Sequence, residues 1–493
     1  MNDDRTLTTP PLEAEAWGTP QLVLTIVWHP DPGRVGRRAL VPAGTGVELG
    51  RFAPAFSTPG EVGSAPLWHS CLSRDPTALQ PTKDGGLRVV PSRGRMRVEI
   101  DGHPTDTEIM LAPERLDAGV ILLLGGRIAL CAHRVDTLPD ASADAFLVGS
   151  SSAMVRVRRA IAQVAPTTLT VLVLGESGTG KELVARAIHA HSPRSNKPLV
   201  AVNMSALSES LAQAELFGSS RGAYTGAHAA RRGLWLEADG GTLFLDEIGD
   251  TPPTIQPMLL RVIETGAVRP LGSDRDQHTD VRLIAATDRD LSVGGFNHPL
   301  LRRLEAYVIR LPPLRRRRED LGLLVRHALQ GLPAADDFFD ALPTSMVRAL
   351  CLHDWPGNVR QLSHAIRRLA LERSGGSWPE VEELLGSTPT LREQTQTPAQ
   401  TQTREPAPTQ ARVHVPVSPD DQKPRTLPVS GPGSEAASPL RQRYRRPDDV
   451  GVDELRRALQ ASDWCIRRAA QALGISRPSL YNLIARYPEA KQR

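Results

Sequence analysis

The feature that most constrains this chain is Gly175-Glu176-Ser177-Gly178-Thr179-Gly180-Lys181-Glu182, set between the apolar run LTVLVL and the helical stretch ELVARAIHA. A strand, a glycine-rich loop and a helix in that order build a phosphate cradle. The glycines let backbone N–H groups curl around a phosphate at the positive end of the helix, and the Lys181 ammonium reaches the outer phosphoryl oxygens. A turn with only a structural role would not need that lysine. The generic pattern ends in a Ser or Thr that ligates magnesium, and here that position is Glu182. Further along, GTLFL runs into Asp246-Glu247, placing two carboxylates at the carboxyl end of a buried strand, where α/β sheets bind their ligands. Asp246 suits a Mg²⁺ shell, and Glu247 suits polarising a water for attack on a γ-phosphate. An acidic strand end at a solvated edge explains one such motif alone, but explains an ordered pair far less well. The two motifs together point to nucleotide hydrolysis.

The 493 residues predict about three folded units at roughly 150 residues each. From Pro20 to about Val135, short apolar or alternating runs such as QLVLTIVW, RMRVEIDG and GVILLLGGRIAL predict an all-β sandwich, taken as 20–135. From Phe146 onward, apolar runs alternate with amphipathic helical stretches such as QPMLLRVIETG, the pattern of a parallel α/β sheet, taken as 147–310 with a helical segment at 311–385. Residues 389–440 hold ten Pro among 52 positions with repeated Thr and Gln, a composition that buries too little apolar surface to order itself; we read 389–446 as a disordered linker. Whole-chain charge is nearly balanced, with 59 Lys+Arg against 55 Asp+Glu, so any basic footprint must be local. It lies in 441–493, where twelve Lys/Arg oppose six Asp/Glu. Four widely separated Cys give neither a disulfide framework nor a zinc pattern and fit a reducing cytoplasm. The most apolar stretch, Gly119 to Ala132, is broken by Gly125, Gly126 and Arg127 and is too short to span a bilayer.

Between the two phosphate motifs, ELFGSSRGAYTGA (Glu215 to Ala227) resembles the signature of sigma-54-dependent transcriptional activators of the AAA+ class. The resemblance runs from about Leu147 to Arg373 through VNMSALSESLAQAELFG, GGTLFLDEIGD, MLLRVIETGAVRPLG, DVRLIAATDRDL, LPPLRRRRED and WPGNVRQL. It implies a P-loop AAA+ ATPase using ATP and Mg²⁺, in which GESGTGKE is the usual loop and magnesium is left to Asp246, phosphates and water. It assigns Asn203 as the switch that holds Glu247 until ATP is sensed, Thr287 as the sensor at a strand end, and Arg360 as a second sensor. On sequence alone Arg360 reads equally as a surface helix arginine. The family donates arginine fingers in trans within a ring, by analogy a hexamer. Here Arg303 matches the second finger, Asn297 stands at the first, Arg302 is a substitute candidate, and Asp288 stands where many members have Asn. Gly222, Ala223, Tyr224, Thr225, Gly226 and Ala227 match the mobile loop that contacts sigma-54 RNA polymerase holoenzyme.

The segment AAQALGISRPSLYNLIAR (Ala469 to Arg486) reads as helix, glycine turn and second helix, with Ser476 as N-cap and Pro478 in the first turn. It resembles the Fis-type helix-turn-helix, taken as 447–493, and leaves Arg477, Ser479, Asn482 and Arg486 to face enhancer DNA. A helical hairpin serving dimerisation is the alternative, and both roles are compatible. In the N-terminal sandwich, LGR and LSR resemble phosphate-facing strand ends of forkhead-associated domains, which implies a phosphothreonine partner at Arg51, Ser73 and Arg74. A sandwich that only holds inhibitory or oligomeric contacts competes with that reading. For the whole chain, an ATP-driven activator at sigma-54 promoters is the leading expectation. The alternative is a nucleotide-sensing DNA-binding regulator that does not remodel polymerase.

Overall fold

Three near-continuous apolar strands set the N-terminal fold. In the computed structural model, which describes residues 20–58, 63–92, 94, 96–136, 146–223, 229–332, 337–374, 378–385, 451–461, 470, 472–474, 480 and 487, they are Gln21–Trp28 and the hairpin of Val120–Leu124 with Ile128–Val135. These lie at the centre of an eight-stranded sheet ordered Ser64–Ala65, Phe56–Ser57, Arg38–Val41, Gln21–Trp28, Ile128–Val135, Val120–Leu124, Val98–Ile100, His103–Pro104. A four-stranded sheet of Ile109–Leu111, Leu87–Val90, Thr77–Pro81 and Val47–Leu49 completes the predicted β-rich unit. Pairing is antiparallel throughout both sheets.

An antiparallel strand usually alternates apolar and polar residues because one face meets water. These strands do not, because both faces are covered. Leu22, Leu24, Ile26, Leu122, Leu124 and Leu130 fill the core between the two sheets. Val27, Trp28, Ile121, Leu123, Ala129 and Cys131 face the other way, into one apolar core with Leu321, Leu324, Val325, Phe338, Phe339 and Leu342 of the helical segment. Pairing register slips between Ile26 and Trp28, and a bulge of this kind re-aims the side chain that follows it. The Trp28 ring centroid lies 4.5 Å from that of Phe339 and 6.3 Å from that of Phe338. At the closest crossing stands Gly322, where a Cβ would sit 1.9 Å from the Val27 carbonyl oxygen. Only glycine lets Leu321–Ala328 approach the strand so closely.

The central sheet is parallel and five-stranded, in the order Leu199–Asn203, Thr242–Asp246, Arg282–Thr287, Val171–Leu174, Tyr307–Arg310. Its strands are apolar on both faces, as a sheet layered by helices requires. Val171, Val173, Ile284 and Ile309 pack against Ser152–Val164 and Lys181–Ala190; Leu172, Leu243, Leu245 and Leu283 pack against Glu209–Phe217, Gln256–Thr265 and His298–Leu304. The helical segment follows as Leu321–Ala328, Phe338–Ala341, Thr344–Leu352, Asn358–Ser374 and Val381–Leu385.

Met1–Thr395 and Gln396–Arg493 form two compact units. In the second, Val452–Ala461 is helical, Leu455, Ala470, Leu473 and Leu480 are buried, and Gly474 takes φ 63° at the predicted turn. The predicted linker, 389–446, lies outside the described residues. No helix among the described residues is long and apolar enough to cross a membrane.

The shared core makes a measurable demand. Trp28→Ala should cost about 3–5 kcal/mol, and hydrogen exchange should then speed up in Leu321–Ala328 as well as in Gln21–Trp28. Unchanged protection of the helix would contradict a common core.

Candidate nucleotide site

The strand Val171–Leu174 is flanked on both sides by parallel neighbours, so loop 175–180 leaves the sheet at its carboxyl end, in the interior of the strand order. Thr179 Oγ1 donates to the Glu176 carbonyl at 2.7 Å, and the Gly175 N–H donates to the Thr287 carbonyl at 3.3 Å. The loop is thereby closed on itself and tied to the neighbouring strand. Gly180 takes φ 106°, after which Lys181 opens the helix with its side chain 7% exposed. Its Nζ donates to the Gly175 carbonyl at 3.0 Å and lies 3.4 Å from Glu247 Oε1.

Asp246 ends the strand Thr242–Asp246, and Glu247 follows in the left-handed region at φ 51°, ψ 49°. A non-glycine residue holds that conformation only at a cost, and such residues concentrate at functional sites. The Glu247 N–H donates to Asp246 Oδ1 at 3.1 Å. Burial pushes both carboxyls above their ordinary pKa, and Lys181 pulls both back. Desolvation is the larger effect, so Glu247 is a stronger base than a solvated glutamate. Asn203 lies in register with Asp246 on the adjacent strand, where its Oδ1 accepts from the N–H and hydroxyl of Ser205 at 2.9 and 2.7 Å. Thr287 is fully buried, and its Oγ1 accepts from the Arg289 N–H. Glu182 turns outward to pair with Arg186 at 2.6 Å, both side chains more than half exposed. A metal at the phosphates would therefore rely on Asp246, and among the described residues no group of three or more His, Cys, Asp and Glu is placed to hold an ion.

The helical segment grips the same loop. The N–H groups of Val359 and Arg360 both donate to the Gly178 carbonyl, at 3.0 and 3.3 Å, so the phosphate loop satisfies N–H groups that a helix start otherwise leaves unpaired. Arg360 Nη1 donates to Ser177 Oγ at 3.2 Å. Gly178 permits the contact, since its φ is 78° and a Cβ would meet the Gly357 carbonyl at 2.3 Å. Asn358, fully buried at φ 52°, donates through Nδ2 to the Ser177 carbonyl and Glu176 Oε2, and accepts at Oδ1 from the Leu314 N–H. Arg315 forms a two-pronged pair with Glu176 at 2.6 and 2.7 Å, holding that carboxyl below its ordinary pKa. Asn358, Arg315 and Arg317 were not singled out by the sequence reading, although both of their motifs, WPGNVRQL and LPPLRRRRED, were in view. Beside the loop opens a cavity of about 930 Å³ whose lining mixes apolar Leu174, Val308 and Leu311 with polar and charged Glu176, Asp288 and Arg310.

Comparisons with known proteins match three stretches of the chain. The description "Sigma-54 interaction domain" matches residues 147–310, "AAA+ ATPase lid domain" matches 315–403, and "Bacterial regulatory protein, Fis family" matches 451–487. The chain carries a sigma-54 interaction domain. Transcriptional regulatory protein ZraR of Salmonella typhimurium is 49% identical over 253 residues, 50% of this chain and 57% of that protein. DNA-binding transcriptional regulator NtrC of Rhizobium meliloti is 44% identical over 260 residues, 51% and 53% respectively. The chain thus spans little more than half the length of these relatives. NtrX from Brucella abortus, solved in complex with ATP, aligns at 28% identity over 69% of this chain and 68% of that one, with a TM-score of 0.44.

Within the sigma-54 interaction domain, the remaining predicted residues fall as follows. Gly222 and Ala223 are described, with Ala223 against Gly272, while Tyr224, Thr225, Gly226 and Ala227 lie outside the described residues. Arg303 is 60% exposed and pairs with Glu264 at 3.0 Å. Asn297, at the first finger position, is a helix N-cap: its Oδ1 accepts from the Leu300 N–H at 3.0 Å, a role that arginine cannot fill. In the Fis-type unit, Arg477, Ser479, Asn482 and Arg486 lie outside the described residues. In the N-terminal unit, the Arg51 guanidinium donates to the Ser70 and Leu72 carbonyls, its N–H donates to the Ser73 carbonyl, and Ser73 Oγ accepts from the Asp75 N–H. Arg74 is exposed beside them.

Asn358→Ala strips the buried Leu314 N–H of its acceptor and releases Glu176 and Ser177 together. It should lower stability by about 1–3 kcal/mol and weaken nucleotide binding, read by denaturant unfolding and by titration with a fluorescent ATP analogue. Wild-type affinity in a folded variant would show that the helical grip does not shape the loop.

Proposed function

We propose that this chain is an ATP-driven activator of transcription that hydrolyses ATP between subunits of a homo-oligomeric ring, a hexamer, and uses the cycle to remodel sigma-54 RNA polymerase at promoters. What carries the reading is the pairing of Lys181 with Glu247 across the mouth of a glycine loop, inside a domain of the sigma-54 interaction type. Gly175 through Gly180 supply backbone N–H groups to the phosphates, and Lys181 balances charge on the outer oxygens. Asp246 fits a Mg²⁺ ion, which when bound would offset charge on the phosphates. Glu247, made more basic by burial, takes a proton from the attacking water. Asn203, Thr287 and Arg360 report nucleotide state to the strands and the helical segment, and Arg303 of a neighbouring subunit stabilises the charge that spreads during phosphoryl transfer.

The second half of the reading concerns what the cycle moves. Tyr224 and Thr225, between Gly222 and Gly226, offer an aromatic face and a hydroxyl to the polymerase. Arg477, Ser479, Asn482 and Arg486 hold enhancer DNA, and the protein works in the cytoplasm. For the N-terminal unit we read a forkhead-associated-like fold whose Arg51, Ser73 and Arg74 take a phosphothreonine. The support for it is that Arg51 and Ser73 meet at one end of the sandwich. A nucleotide-sensing regulator without remodelling activity is the alternative, and it predicts ATP binding with no effect on open complexes.

Lys181→Ala should abolish ATP binding, and Glu247→Ala should bind ATP without turning it over; normal hydrolysis by either would place the site elsewhere. Thr225→Ala is expected to keep ATP turnover and lose open-complex formation at a sigma-54 promoter. Full activity there would remove the loop assignment.

A further inference from the structure

One buried charged side chain of the sandwich reaches the segment that leads into the α/β core. Arg38, on a central strand of the eight-stranded sheet, is 1% exposed. Its Nη2 donates to the carbonyl and the hydroxyl of Ser150, at 2.5 and 3.0 Å. Ser150 and Ser151 are also held from the opposite direction. Asp320 Oδ1 accepts from both of their N–H groups, at 2.6 and 2.8 Å, and its Oδ2 accepts from the Ser151 hydroxyl at 2.6 Å. Asp320 is fully buried, and its neighbour Glu319 is 8% exposed.

These carboxylates close a turn that holds the phosphate loop at two points. Arg315 pairs with Glu176, and Arg317, 2% exposed, donates through Nη2 to the Thr179 carbonyl at 3.2 Å while Nη1 contacts Met154 Sδ. Two adjacent buried carboxylates stay ionised only with cations beside them, and burial together with Asp320 raises the Glu319 carboxyl to about 7. Arg38 and Arg317 are the arginines whose charges act on Glu319, and His133 lies 3.8 Å from it with its ring kept neutral by burial. If Arg38 were lost, Arg317 would face the two carboxylates alone and be drawn away from Thr179.

We propose that Arg38 is a positioning residue for the nucleotide site, through which the N-terminal sandwich fixes turn 314–320 and hence the shape in which loop 175–180 meets ATP. The inference rests on the nucleotide reading above. It makes the β unit a working part of the ATPase rather than a tethered receiver.

The test uses the full chain in three forms, Arg38→Met, Arg38→Lys and Arg38→Met with Glu319→Gln, each measured for fluorescent ATP-analogue affinity, KM for ATP and kcat. Arg38→Met should weaken binding and raise KM about tenfold while kcat at saturating ATP stays within about twofold. Adding Glu319→Gln should restore most of the lost affinity, because the carboxylate left unbalanced is gone. A folded Arg38→Met protein that binds ATP like wild type overturns the proposal, as does a loss that Glu319→Gln fails to repair. Should Arg38→Met not fold, Arg38→Lys decides: it keeps the charge with a poorer reach, an intermediate KM is expected, and a wild-type KM overturns the proposal. A wild-type chain that binds no ATP removes the nucleotide reading itself, a result distinct from any of these.

Discussion

The Asn358 side chain joins the two halves of the nucleotide site. One carboxamide donates to the phosphate loop at Glu176 and Ser177 and accepts from Leu314, so the loop, the turn at 314–320 and the start of the last long helix share a single buried connection. Around it the loop's own carbonyls serve as acceptors: Gly178 for the helix N-terminus, Thr179 for Arg317 and Gly175 for Lys181. A loop held in this way has little freedom to rearrange when phosphates arrive, and electrostatic stabilisation by fixed dipoles depends on that lack of freedom. The same contacts couple the helical segment to the loop, since a shift at Ser177 or Gly178 reaches Asn358 and Arg360 directly.

The helical segment in turn depends on the sandwich. Its apolar core is completed by Val27, Trp28, Ile121, Leu123 and Cys131, and its buried acids are balanced partly by Arg38. Ion pairs also cross here, Arg348 with the buried Glu99 at 3.0 Å and Arg318 with the half-buried Asp101 at 3.5 Å. The apolar contact and the buried arginine decide the geometry. Any signal that alters the sandwich therefore has a short physical route to the nucleotide.

Much of this was legible in the residues, and the limits of that legibility have physical causes. The phosphate loop and the Asp246-Glu247 pair could be placed because strand, loop and helix carry local signals, and because ligands gather at strand ends of parallel sheets. The mostly apolar run QLVLTIVW marked a strand of a sandwich, but nothing in it named a second cover. That depends on Gly322 allowing a helix to cross at Val27, a contact about 300 residues away in sequence. The four arginines of LPPLRRRRED carry no individual roles in the sequence, whereas in the fold Arg317 is buried and Arg315 is committed to Glu176. Asn358 sat in view within WPGNVRQL, yet its role follows from a positive φ and three partners brought together only by the fold. Asn297 read as a missing arginine, and the structure gives it other work as a helix cap.

The central claim is that cleavage of ATP, not its binding alone, is what the protein delivers to the polymerase. The most direct measurement is open-complex formation at a sigma-54 promoter by the purified full chain, with ATP compared against a non-hydrolysable analogue. The account predicts open complexes with ATP and stable but closed assemblies with the analogue. Equal opening with both would contradict it.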